Sequence, residues 1–394
     1  MTARPKVRLQ PKHDARLRSG VPWVYSNEIA AMSAAVKALK PGTLVDLVDT
    51  KDANLGTAYF NPHSLIAARV LSRDAGAKID AAFFRDRFDR ARALRDKLFA
   101  TRHYRLIHAE ADGCPGLVID RFDDVFVVQS GTAGMDALEA HWIEALKSEF
   151  KPHVIVVKSD SPSRAHEGLK DDVRIAHGDL GTGVHVEEAG IRHTVDPING
   201  QKTGWFFDQR DNRAFLISLA KGATVLDAFS YLGAFGLGAA KAGAKSVVLM
   251  DSSQSALGAA AETGRANKLD AEFRRCDVLE ELEEIRPAGE RFDIVSCDPP
   301  PFARSKKDLE SGARGYRKLA RLAAPLVAPG GFLCLASCSH AIDMTRFQTE
   351  CALGLSRADR TGRLIRVAGA ASDHPVHPML PETAYLKSLT YQLD

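Results

Sequence analysis

The chain is short of several features that would assign it quickly. Its six cysteines, Cys114, Cys276, Cys297, Cys334, Cys338 and Cys351, include no Cys-x-x-Cys pair. That scatter argues against a zinc site and against a disulfide framework, and it suits a reducing cytoplasm. His103, His108, His153 and His166 do not fall at ligand spacing, so no metal is expected. No apolar run approaches the ~20 residues of a membrane-spanning helix. The opening Met-Thr-Ala-Arg-Pro-Lys-Val-Arg has charges with no apolar stretch behind them, which is not a secretory signal. There is no internal repeat and no low-complexity tract.

What is present is ordinary globular material, 45% apolar and 26% charged over 394 residues, enough for two or three domains. The net charge of +3 is unevenly spread. Residues 1–72 hold ten Lys/Arg against five Asp/Glu, a balance of +5, which leaves −2 for the remainder. A basic module on a near-neutral body fits a polyanionic partner or a merely solvated basic face.

Residues 1–72 read as a small β module, with strands near 6–9, 44–48, 55–60 and 65–71. A hairpin turn falls at 49–53, and Pro22-Trp23-Val24-Tyr25 forms a compact aromatic turn. Arg8, Lys12, Arg16 and Arg18 lead toward Trp23. Cations beside aromatics suit phosphate contact and base stacking, the alternative being that the aromatics are core. Residues 73–190 form a second, central α/β module. Asp80 caps a helix carrying Phe84, Phe88, Ala91, Leu94 and Leu98 at helical spacing. Strands follow near 104–109, 117–120 and 125–129, then a helix over 135–149, a strand at 154–158 and short strands over 172–195.

Residues 191–394 alternate strands (224–227, 246–251, 271–275, 292–297, 332–337) with helices. That pattern means a doubly wound, Rossmann-like parallel sheet. Late strands at 363–368 and 385–393 are candidates for antiparallel pairing at its edge. The entry unit is strand, turn, helix: Asp227 ends the strand, and Phe229, Ser230 and Gly233 make the turn. Gly233 is expected to let the backbone approach a ligand, unless it only seats the helix on the sheet. Asp227, Asp251, Asp277 and Asp298 fall at strand ends along one rim. Asp251 lies 24 residues after Asp227, near the offset at which an acid takes ribose hydroxyls. Asp277 falls where an adenine amino group could donate. Any one of the four could instead be a helix cap. A single early glycine does not make a pyrophosphate cradle, which favours a nucleoside cofactor, S-adenosylmethionine, over a dinucleotide. Among residues 199–213, Lys202 and Arg210 are assigned to the cofactor, as are Phe206 or Phe207, with Phe207 preferred, and Asp208, also a helix-capping candidate.

Asp298-Pro299-Pro300-Pro301-Phe302 is a rigid loop after a strand. It can hold the Asp298 carboxylate and Pro299 at the cofactor rim and offer Phe302 to the face of a base. Ser337-Cys338-Ser339 ends the neighbouring strand. A Cys338 thiolate adding to C6 of cytosine would make C5 nucleophilic; alternatively Cys338 is a small buried hydrophobe.

The motifs Gln201-Lys-Thr-Gly-x-x-x-Asp-Gln-Arg210, Phe229-Ser-Tyr-x-Gly233, Asp298-Pro-Pro-x-Phe302 and Ser337-Cys-Ser339 resemble those of the bacterial 23S ribosomal RNA cytosine-C5 methyltransferases with an N-terminal PUA domain. Asp373-His-Pro375, Tyr385-Leu-Lys387, Pro22-Trp23-Val24 and Asp112-Gly-x-Pro-Gly116 extend the likeness over nearly the whole chain. The resemblance implies a PUA domain, a central α/β domain and a class I methyltransferase domain. It also implies S-adenosylmethionine as cofactor, a homodimer, and 23S ribosomal RNA, naked or in a precursor particle, as partner. By motif match Cys338 is the nucleophile, and Asp298 holds N3 and the amino group of the flipped base. Two alternatives are guanine methylation without a covalent intermediate and a non-catalytic RNA-binding or assembly factor.

Overall fold

The structure is a computed structural model that describes residues 4–181, 183–285 and 289–394. Residues 1–3 of the charged N-terminus and Thr182 of the expected turn at 181–183 lie outside the described residues. By its contacts the chain divides into two compact units. One comprises 1–184, 196–205 and 373–381, the other 185–195, 206–372 and 382–394.

The first unit holds two five-stranded sheets. In the N-terminal sheet the order is Lys6–Arg8, Thr43–Val48, Asn54–Phe60, Ile66–Ser72, Trp23–Tyr25. The hairpin forms because Asp49 closes it: its Oδ1 accepts the N–H groups of Lys51 and Ala53 at 2.8 and 2.9 Å. The aromatic stretch after Pro22 corrects the sequence reading. Trp23–Tyr25 is a strand, paired antiparallel to Ile66–Ser72 at the sheet edge. Proline is tolerated there because an edge strand does not need every N–H.

The second sheet runs Asp172–His177, Val154–Ser159, Val125–Ser130, Leu117–Phe122, His103–His108. Helix Ala81–Leu98 starts on the Asp80 carboxylate, which accepts Phe83 N–H at 3.1 Å. Phe84, Phe88 and Ala91 are core, but Leu94 and Leu98 are exposed. The helix expected over 135–149 is two, Ala133–Ala137 and Glu139–Phe150, meeting at Leu138. The first packs Gly134 so tightly on Tyr59 that a Cβ would stand 2.0 Å from the ring.

The second unit is built on a seven-stranded sheet. Its order is Glu272–Arg275, Ser246–Asp251, Thr224–Ala228, Phe292–Cys297, Val327–Ser337, Lys387–Leu393, Gly362–Ala368. The first five are parallel, and Lys387–Leu393 runs antiparallel to both its neighbours. The last strand in the chain is therefore inserted ahead of the one before it. Alternation along the central strands fills two cores. Leu226, Ala228, Val248 and Met250 pack with helices Val278–Ile285, Leu309–Ala323 and Met344–Ser356. Val225, Val247 and Leu249 pack on the opposite face with helices Arg210–Ser218, Ala234–Lys241 and Gln254–Ala266. Chain order reverses between Thr224–Ala228 and Phe292–Cys297, and a crevice beyond those carboxyl ends is where such sheets hold ligands.

Candidate active site

The turn after Thr224–Ala228 is conformationally expensive. Phe229, Tyr231 and Gly233 have φ of +63°, +49° and +69°. Two bulky residues in the left-handed region cost of order 1–3 kcal/mol each, and such strain collects at ligand sites. The turn is held by the next strand. Ser230 N–H donates to Met250 C=O at 2.9 Å, and Tyr231 N–H donates to Asp251 Oδ2 at 2.8 Å. The Asp251 Oδ1 accepts Ser253 N–H at 2.8 Å. The Ser230 hydroxyl is buried there without a hydrogen-bond partner, an opening for a ligand's polar group.

Of the two roles weighed for Gly233, the geometry supports seating the helix on the sheet. A Cβ on it would stand 2.4 Å from Leu249 Cδ2 and 3.3 Å from Ala260, so glycine is required by packing of helix Ala234–Lys241, not by a ligand's approach. Asp277 is an exposed helix cap, its Oδ1 accepting the N–H groups of Leu279 and Glu280 at 2.9 and 3.2 Å.

Asp227 is buried beneath the turn, its Oδ2 accepting Gly236 N–H at 2.9 Å. Burial pushes its pKa up to about 7, the nearby Asp298 and Asp251 charges adding to the effect. A carboxyl raised in the folded state stabilises the fold fully below its ordinary value of 3.8 and loses that contribution as pH climbs to about 7. Asp227→Asn should therefore gain stability relative to the parent between these limits, by up to about 4 kcal/mol at neutral pH. Urea unfolding at several pH values checks this; a difference independent of pH would contradict it.

The segment preceding the sheet supplies the next layer. Phe207, expected over the cofactor, is core. Phe206 is the half-buried ring, edge-on to Tyr231 with centroids 5.3 Å apart. Asp208 is buried, and Tyr385 Oη donates to its Oδ2. Gln209 Nε2 donates to Asp298 Oδ2 at 2.8 Å, while Asn212 Nδ2 donates to Gln209 Oε1 at 2.8 Å, so the amide is oriented from behind. Arg210 lies 3.8 Å from Glu188, which Arg213 also engages through two nitrogens. Lys202 is exposed and belongs by its contacts to the first unit.

The two chemical motifs are joined through Ser339. Its hydroxyl accepts Ala303 N–H at 3.2 Å, at the end of the proline loop, and lies 2.8 Å from Tyr316 Oη. Tyr316 also carries Phe302, with ring centroids 4.7 Å apart. Gly312 and Gly315 make room: Cβ atoms there would stand 2.6 Å from Ala303 and 2.9 Å from Phe302. Pro299 is buried, and Asp298, Phe302 and Phe229 are half-buried. Cys338 is also half-buried at the rim and lies outside the hydrophobic cores, whereas Cys297, Cys334 and Cys351 are packed inside them. Strand Phe292–Cys297 pairs in parallel with Val327–Ser337, so both motifs leave the same edge.

Reasoning from sequence missed Gln209, Tyr316, Ser339 and Lys387 as site residues. Gln209 and Lys387 stood inside quoted motifs, whereas Tyr316 had no local signal because only packing brings its helix to the loop.

In the N-terminal sheet each arginine named for RNA has an acid. Arg8 pairs with Asp52, Arg16 with Glu28, and Arg18 with Asp14 and Asp49, all at 2.7–2.8 Å. The exposed Arg8–Asp52 pair contributes little to stability, whereas Glu28, the partner of Arg16, is buried. Lys12 is exposed with φ of +71°. Trp23 is half-buried, its indole N–H donating to Glu110 at 2.9 Å, so it is pinned where free stacking was expected. No helix among the described residues is long and apolar enough to cross a membrane.

A strained turn with an orphan hydroxyl, an acid at the end of the second strand and an aromatic lid residue fit a nucleoside cofactor. Comparison with known proteins agrees. Residues 7–73 match a PUA-like domain, and residues 161–373 match the S-adenosylmethionine-dependent methyltransferases. Ribosomal RNA large subunit methyltransferase I of Aliivibrio fischeri (strain MJ11) is 40% identical over 389 residues, covering 97% of both chains. The protein of that name from Vibrio cholerae is 38% identical, covering 97% of this chain and 98% of its own. A candidate SAM-dependent methyltransferase from Streptococcus mutans shares the fold, with TM-score 0.81 at 22% identity over 98% of this chain and 100% of that one. A methyltransferase structure complexed with SAH gives 0.82 at 22% identity, with the same coverage. The chain thus belongs to the S-adenosylmethionine-dependent methyltransferases, in one family with the two ribosomal RNA large subunit methyltransferase I proteins.

Proposed function

We propose that the protein methylates C5 of a cytosine in 23S ribosomal RNA, through a transient bond between the Cys338 sulfur and C6 of the base. The observation that carries this reading is the half-buried Cys338, held at the rim between two buried serines and tied through Ser339 to the loop that bears Asp298. The names of the relatives supply the ribosomal RNA, and the PUA-like match supports an RNA-binding role for the N-terminal sheet. Residues 1–72, 73–190 and 191–394 would act as RNA-binding, central and methyltransferase modules of a cytoplasmic homodimer acting on naked RNA or a precursor particle.

The target base must leave its stack, at a cost of a few kcal/mol. The half-buried Phe302, backed by the buried Tyr316, offers aromatic surface for it. Cys338 adds to C6 as N3 takes a proton from solvent water, and Asp298, oriented by Gln209, accepts hydrogen bonds from N3–H and the amino group of the adduct. When bound, S-adenosylmethionine would supply an electrophilic methyl on a sulfonium for the C5 carbon made nucleophilic by the adduct. Loss of the C5 proton then lets the sulfur depart as thiolate. Ser230, Phe206, Asp208 and Asp251 would hold the cofactor.

Ribosomal RNA carrying 5-fluorocytidine tests the reading directly, because fluorine at C5 cannot leave as a proton. With cofactor present, the protein should form a denaturant-stable adduct attached at Cys338. Methylation of guanine with no trapped adduct would overturn it.

A further inference from the structure

Lys387 occupies a place where a cation is costly. It is buried at the start of strand Lys387–Leu393, in register with Ser337, the residue before Cys338. Its Nζ donates to the carbonyl of Ser339, the residue after Cys338, at 2.7 Å. The ammonium is therefore packed against the backbone that carries the sulfur, and that carbonyl takes one of its three donors.

We infer that Lys387 is a positioning residue that maintains Cys338 as a thiolate. The inference rests on the covalent reading of Cys338 and adds to it what activates the sulfur. An unperturbed thiol near pH 7 is ionised only to a few per cent, so a cysteine nucleophile needs a nearby cation or base. The other charged groups around Cys338 mostly work against ionisation. Asp298 stands on the adjoining loop, tied to Ser339 through Ala303. Asp343 caps the helix that follows, and Asp208 lies behind Tyr385, whose ring is 5.3 Å from His340. Tyr316, against Ser339, has its pKa raised by burial and stays neutral. Arg213 feels the Asp208 and Asp298 charges but is held by Glu188. Lys387 itself is pushed down to about 8 by burial, with Cys338 and Asp343 opposing the fall. The coupling between amine and thiol is mutual, so the ammonium that a thiolate favours also favours that thiolate. The thiol proton passes to solvent before attack, the ammonium keeps its own, and the sulfur later departs as the same thiolate.

Alkylation by iodoacetamide reads the thiolate without any methyl transfer. In the full chain, the rate at the Cys338 peptide would be followed by mass spectrometry from about pH 6 to pH 10, around the ordinary thiol pKa. Lys387→Met should move the inflection up by about one unit and slow alkylation at neutral pH about tenfold. Lys387→Arg should retain most of the parent behaviour. An unchanged inflection in Lys387→Met, with the thermal melt preserved, would mean that Lys387 only pins Ser339. Should the methionine variant not fold, a parent inflection at or above the ordinary value, about 8.5, overturns the inference by itself. Methyl transfer by Cys338→Ala is the separate readout. If that variant remains active while alkylation depends on Lys387, the covalent reading fails and the role of Lys387 in holding the thiolate stands.

Discussion

Replacing Cys338 with alanine is expected to abolish methyl transfer, by about 10³-fold or more, while leaving the fold and cofactor binding intact. The size follows from the chemistry. C5 of cytosine is a poor nucleophile until a group has added to C6, and nothing else in the loop-and-strand arrangement supplies a soft nucleophile at the rim. The tolerance follows from placement: Cys338 lies outside the packed cores, so removing its sulfur leaves no cavity among them. Cys297, Cys334 and Cys351 give the contrast, since burial pushes each of their thiols up and they are unsuited to attack. Single-turnover transfer of labelled methyl to ribosomal RNA, alongside calorimetric binding of S-adenosylmethionine, separates the two effects. Turnover within a fewfold of the parent would sink the nucleophile assignment.

Asp298→Asn should cost about 10²–10³-fold in the methyl-transfer step, the range seen when one preorganised group at a developing charge is removed. An amide retains the shape and can still accept from Gln209 Nε2, so the loop should stand. It cannot carry the negative charge that stabilises an N3-protonated adduct. A second effect distinguishes this from local disorder. The Asp298 charge helps to raise Asp227, so neutralising it should shift the pH window of Asp227 downward. Transfer rates at saturating RNA and cofactor, together with stability against pH, test both consequences. An unimpaired chemical step in this variant would remove Asp298 from the reaction.

Much of this was legible in the chain. The short apolar runs at 224–227, 246–251 and 292–297 and the helical patterns between them announced a doubly wound sheet, because alternating strands and helices bury their faces in only one economical way. The Asp298 loop and Ser337-Cys338-Ser339 were readable as chemistry since prolines and a strand end fix local geometry without help from distant residues. Other residues were misread where two local explanations competed. Gly233 could serve a ligand or a helix contact, and Leu249 decides for the contact. Phe207 and Phe206 are neighbours of one type, and only burial separates the core ring from the one beside Tyr231. The basic residues near the N-terminus could not reveal that Asp14, Glu28, Asp49 and Asp52 would fold back on them.

By itself, then, the order of residues determined which segments become strands, where the rigid loop lies and which thiol ends a strand, all consequences of short-range sterics and hydrophobic period. Tertiary structure alone decided that Tyr316 and Ser339 bind the two motifs together, that Gln209 aims at Asp298 and that Lys387 donates to the Ser339 carbonyl. Those pairings span 23 to 89 residues of chain. The Lys387 contact exists because the last strand enters the sheet antiparallel between two earlier ones, and no local propensity specifies any of these long-range pairings.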